Sequence, residues 1–81
     1  MRYQAPTRDD VIDLNDIPLD RRTERLEHAF QLLSPGETLW IAGQGDAHRY
    51  EHFLQQRFPG EVSWIADHDL EGRWIARVDR R

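Results

Sequence analysis

Pro-Gly-Glu occurs twice in the chain, at Pro35-Gly36-Glu37 and at Pro59-Gly60-Glu61. Each copy follows a helix-like apolar pattern and precedes a strand-like one. Proline stops a helix because it has no N–H to donate and its ring clashes with the preceding turn. Glycine supplies the backbone freedom to reverse direction after the last turn. The doubled junction therefore sets a helix, a turn and a strand, twice over.

The flanking patterns agree. Leu26, Ala29, Phe30 and Leu33 fall at i, i+3, i+4 and i+7, one apolar stripe. Asp20 stands where an N-cap belongs, which predicts a first helix over residues 20–33. Asp46 is the matching cap for a second helix over 47–58, with Tyr50, Phe53, Leu54 and the stem of Arg57 on its inner side. Strands are expected over 11–14, 38–42, 62–66 and 73–78. The last two are joined by a short polar connection, 67–72, that suits an antiparallel hairpin. In that hairpin Val62, Trp64 and Ala66 share one face with Trp74, Ala76 and Val78. The order is β-α-β-α-β-β. Its economical packing is an α/β two-layer sandwich, a four-stranded mixed sheet with both helices on one face.

Length allows one small domain, read as residues 10–81 after a flexible tail over 1–9. Cysteine is absent, which points to the reducing cytosol rather than a secreted scaffold. No basic-then-apolar leader opens the chain, and the apolar run 39–42 is far too short to span a bilayer. All eleven basic residues are arginine. A Schiff-base lysine, a thiol nucleophile and a cysteine metal ligand are thereby excluded. The net charge of −4 argues against a dedicated nucleic-acid binder.

The run Ile12-Asp13-Leu14, then Ile17-Pro18, Phe30, Leu33 and the first Pro-Gly-Glu resembles the family called domain of unknown function 2249. The second half is similar to it in Phe53-Leu54, Phe58-Pro59-Gly60-Glu61, Ser63-Trp64 and Trp74. The resemblance spans residues 11–79, and the stretch 59–64 is its most specific part. More distantly the frame resembles the TusA-like (SirA-like) sulfur carriers, which implies a two-layer β-α-β-α-β-β sandwich. Those carriers place a Cys-Pro pair at the start of the first helix; the matching positions here are Leu19 and Asp20, so persulfide transfer is not implied. The nearer family often carries two histidines, and the matching positions here are Thr23 and Gly45. Its neighbourhood implies a place beside hemerythrin-like or redox proteins, and no particular reaction.

Three local features invite chemistry. His48 and His52 are four apart on one helix face and form a metal candidate, although zinc sites want at least three protein ligands and a solvated face is the favoured reading of the pair. Gly43, Gln44, Gly45 and Asp46 read as a loop ahead of a helix, a ligand-loop candidate for an anion, against the simpler reading of a loop ending in an N-cap. Asp67, His68 and Asp69 place an imidazole between carboxylates, a general acid–base arrangement, but the composition is also what turns prefer, and the turn is the favoured reading. Ser34 and Ser63 have no histidine at a readable spacing, so no hydrolase triad is expected.

The outer sheet face carries the remaining signal. With Trp64 and Trp74 turned to the helices, alternation turns Ser63, Ile65, Arg73, Ile75 and Arg77 outward, and Trp40 joins them if Leu39 and Ile41 point inward. Trp40, Ile65, Ile75 and Arg77 make the interaction candidate. An ordinary exposed face under arginine stems is the competing reading, and acidity disfavours RNA. The expectation is a cytoplasmic, non-catalytic accessory or protein-interaction module without a cofactor. It would bind a protein partner or a second copy through the open face and touch neither nucleic acid nor membrane. The alternative is a small metal- or ligand-binding domain using His48, His52 or the 43–46 loop.

Overall fold

The structure is a computed structural model that describes residues 11–81, and the tail expected over 1–9 lies outside them. The elements are β1 (Val11–Asp13), α1 (Arg22–Gln31), β2 (Thr38–Gln44), α2 (His48–Arg57), β3 (Val62–His68) and β4 (Arg73–Arg80). The four strands form one sheet in the order β1-β2-β4-β3. β1 runs parallel to β2, and β4 runs antiparallel to both β2 and β3. β4 thus fills the gap left between β2 and β3 by the α2 crossover, and with β2 it forms the interior of the sheet.

Both helices lie on one face of this sheet. Leu26 and Phe30 of α1, and Tyr50 and Leu54 of α2, form one buried cluster with Ile41, Val62, Trp74, Ala76 and Val78. These are the apolar stripe and the inward-facing alternation that the sequence predicts. Ala29, Leu33 and Phe53 are half-buried at its margin.

Most boundaries move by a residue or two: β1 stops at Asp13, with Leu14 in a 3-10 turn, α1 ends at Gln31 and β4 runs on to Arg80. Three shifts have a clear local reason. Asp20 does not cap α1: it sits inside a 3-10 turn, Leu19–Arg21, that Pro18 starts from an extended conformation, and α1 begins two residues later. Asp46 does act at the start of α2, where its Oδ1 accepts the N–H of His48. β2 runs on through Gly43 and Gln44, which pair with Trp74 and Arg73. The expected 43–46 loop is therefore mostly strand. A Cβ at Gly43 would stand 2.5 Å from the Trp74 ring, so only glycine leaves room for that side chain. β3 likewise continues through Asp67 and His68, and the turn shrinks to 69–72.

The two Pro-Gly-Glu junctions converge on one residue. Gly36 and Gly60 both take left-handed backbone, φ 89° and 75°, a region other residues rarely enter. The Gly36 N–H donates to the Arg80 carbonyl, and the Arg80 N–H donates to Glu37. The Arg80 guanidinium donates to the Leu33 carbonyl at 2.6 Å, just beyond α1, and to the Glu61 carboxylate at 3.1 Å. A cation at a helix C-terminus also meets the favourable end of its dipole. Arg80 lies against the Phe30 ring, which packs on Phe58, the residue that ends α2. One arginine at the end of β4 thereby ties both helix exits to the sheet.

Candidate functional site

The outer face of the sheet follows from strand register. Val11, Trp40, Arg77 and Ile65 form one row across β1, β2, β4 and β3. The next row is Asp13, Ala42, Ile75 and Asp67, and beside the first on its other side lie Thr38, Asp79 and Ser63. All four interaction candidates, Trp40, Ile65, Ile75 and Arg77, share this face and sit in adjacent positions. Ile65 is 62% exposed, Trp40 and Ile75 are half-buried, and Arg77 is exposed. The Arg77 guanidinium leans on Asp79 at 3.1 Å, and Thr38 donates to the same carboxylate. The rows add Val11, Ala42, Asp13 and Asp67 to the patch. Alternation within each strand is the signal for them, but the neighbour order that joins them is set by the sheet as a whole.

A second feature lies on the helix side. Gly45, Asp46, Ala47, His48, Glu51, Trp64, Ala66 and His68 line a cavity of about 380 Å³ between the start of α2 and β3. His48 Nδ1 is 3.2 Å from Glu51 Oε1, and Glu51 also accepts from Gln55. Of the ligand-loop candidates, Gly45 and Asp46 border this cavity; Gly43 and Gln44 belong to β2 and do not. The cavity takes His48 and leaves out His52, which is exposed elsewhere on α2. Among the described residues no three His, Asp or Glu groups are grouped to hold a metal ion. Glu51 and Trp64 are the residues that sequence reasoning passed over here. Glu51 was visible as the i+3 neighbour of His48, whereas Trp64 reaches the site only through tertiary packing.

The acidic hairpin is occupied by its own turn. Asp69 Oδ1 accepts the N–H groups of Glu71 and Arg73, and Oδ2 accepts from the Arg73 guanidinium at 2.7 Å. Desolvation pushes the Asp69 carboxyl up, but those three hydrogen bonds and the Arg73 charge together hold it below its ordinary value. Asp67 and His68 are paired in β3 opposite Ile75 and Trp74, where alternation turns their side chains to opposite faces, while all three residues border one open pocket beside Arg73. Arg57 of α2 is exposed rather than laid on the core edge, and it grips Glu27 of α1 with two hydrogen bonds of 2.7 and 2.8 Å. That hydrogen bonding, helped by the Arg57 charge, holds the Glu27 carboxyl below its ordinary value against the opposing effect of desolvation.

Both shifts have the same consequence for acid stability. A carboxyl with a lowered folded-state pKa stabilises the fold fully above its unfolded value, about 4, and loses that contribution as pH falls through the folded value. Thermal melts between pH 7 and pH 2 should show stability falling below about pH 4. The Glu27→Gln, Asp69→Asn double variant should show a shallower fall, and an unchanged slope in that variant would remove these two groups as its source.

No protein-family model matches the chain significantly, and neither does any curated protein or solved structure. Among the described residues no helix is long and apolar enough to cross a membrane.

Proposed function

We propose that the chain is a non-catalytic protein-interaction module that binds through the open face of its sheet. The observation that carries this reading is the contiguous row of Val11, Trp40, Arg77 and Ile65 with Ile75 beside it. A partly exposed aromatic-aliphatic patch with an arginine at its centre has the composition of an interface core. The absence of a thiol and the commitment of Asp69, Glu51 and Asp46 to local hydrogen bonds support a binding role over catalysis. The resemblance to TusA-like proteins and to the 2249 family fits a cytosolic accessory domain beside a redox or metalloprotein system, with the carrier chemistry left behind.

The test uses Ile75→Asp. Ile75 faces away from the helices, so the variant should keep its circular dichroism, with a loss of about 1–3 kcal/mol because the side chain is half-buried and Asp67 lies opposite it. Labelled parent mixed with native lysate should elute in a larger species, and the variant should lose at least roughly tenfold in affinity for it. A folded Ile75→Asp that keeps the parent's complexes would refute the open face as the binding surface.

The cavity between α2 and β3 favours a second reading, a small-ligand domain. It combines an indole wall with a His48–Glu51 pair and the first turn of a helix. Ligand-observed NMR with small amines and carboxylates, compared between the parent and Glu51→Gln, distinguishes the two roles.

A further inference from the structure

We propose that a second copy of this chain pairs antiparallel along β3, on a two-fold axis through Ile65, to make a continuous eight-stranded sheet. The inference rests on the protein-interaction reading but seats this occupant on the sheet edge beside the open face, so Ile75→Asp should leave this pairing in place. β3 is the outermost strand on its side, seven residues long, whereas the opposite edge, β1, has only three. Natural edges are usually blunted by proline, lysine, a bulge or brevity. β3 has none of these, its one carboxylate, Asp67, stands near one end, and its register against β4 runs unbroken from Val62 to His68.

Hydrogen-bond parity shows what this edge offers. Glu61 accepts from the Arg81 N–H, and the Asp69 N–H donates to the Arg73 carbonyl. These two bonds bracket the β3–β4 ladder, so the odd-numbered residues of β3 bond inward to β4. The even-numbered residues, Val62, Trp64, Ala66 and His68, turn their N–H and C=O groups to the open side. Among the described residues, no other segment bonds to those groups.

A dyad through Ile65 matches these groups to themselves. Trp64 meets Ala66 of the second copy and Val62 meets His68, each in the hydrogen-bonded geometry. All four outward residues on each chain are satisfied at once. Ile65 meets its own symmetry mate in the close, non-hydrogen-bonded geometry, Cα atoms about 4.5 Å apart. Ile65 is the most exposed apolar side chain on the sheet. Ser63 then faces Asp67 of the second copy, a hydroxyl donor against a carboxylate. At the ends Glu61 would approach Asp69, and each is already neutralised by its own arginine, Arg80 and Arg73. The interface is isologous, so it closes at two copies.

The test is oligomeric state with three variants. Sedimentation of the parent from about 1 µM to about 1 mM should show a monomer–dimer equilibrium centred on twice 9.7 kDa. Ala66→Pro deletes an outward N–H and leaves the β4 ladder intact, and Ile65→Lys sets like charges on the dyad. Each should weaken the dimer at least roughly tenfold with the circular dichroism unchanged. Ile65→Cys is the sole thiol in its chain and should cross-link under mild oxidation, while Ile75→Cys on the same face, away from the dyad, should not. A parent monomeric at every concentration overturns the inference. So does a dimer that survives both Ala66→Pro and Ile65→Lys. If that surviving dimer is lost in Ile75→Asp, the second copy sits on the open face, so the edge register fails while the interaction reading stands.

Discussion

Phe30→Ala should cost about 3–5 kcal/mol, the range for truncating a large buried aromatic. A chain of this length has roughly 4–12 kcal/mol in total. The variant should therefore be partly or wholly unfolded at 37 °C. Phe30 is fully buried, its ring centroid is 4.6 Å from that of Phe58, and the Arg80 guanidinium lies over it at 5.5 Å. Removing the ring opens a cavity where the ends of α1, α2 and β4 meet. It also strips the apolar cover from an arginine whose hydrogen bonds hold both helix exits. Urea unfolding is the measurement: the midpoint should fall sharply with the slope unchanged. Leu32→Ala, two residues on but 72% exposed, should shift stability by less than about 0.5 kcal/mol. A loss below about 1 kcal/mol in Phe30→Ala would mean that this junction is not the keystone of the core.

Phe30 was legible because helix periodicity is a local property. So were the inward set of each strand and the stops at Pro35 and Pro59. Arg80 was not legible as the residue joining the two junctions. Next to the end of a charged strand it reads as solvated, and its role exists only because β4 lies centrally, where its end meets Glu37 and Glu61 together. The same non-local fact hid the full membership of the outer face: alternation turns Ile65, Ile75 and Trp40 outward, but only the strand order sets Arg77 between Trp40 and Ile65. The loop and turn errors came from composition. Two glycines around Gln44 read as a loop, and three acidic or imidazole residues read as a turn. In both places cross-strand pairing with β4 outweighed local preference. Asp20 failed as a cap because Pro18 sets up a tighter turn first. Of the candidate site, the sequence named the patch residues and His48, with Glu51 in reach at i+3, but it could not bring Trp64 across the cavity to them.

The Gly43–Trp74 contact predicts a strong non-additivity. Trp74 is 4% exposed and sits against both Tyr50 and Trp64, with ring centroids 6.1 and 6.0 Å away. Trp74→Ala alone should therefore cost about 3–5 kcal/mol. Gly43→Ala alone should cost about 1–3 kcal/mol, because the new Cβ meets a rigid indole held on its other sides and neither partner can give way freely. Combined, the two changes relieve one another: the methyl enters space that the indole has vacated and no clash remains. The double variant should be more stable than the sum of the single changes by about 1–2 kcal/mol, within the range found for residues in direct contact. Because Trp74→Ala alone brings the fold close to its limit, the cycle is best measured with Trp74→Leu as the partner change, by urea unfolding of all four proteins. Strict additivity would show that β2 moves to accommodate a side chain at position 43. Gly43 would then be a dispensable feature of the strand and not the space that the tryptophan requires.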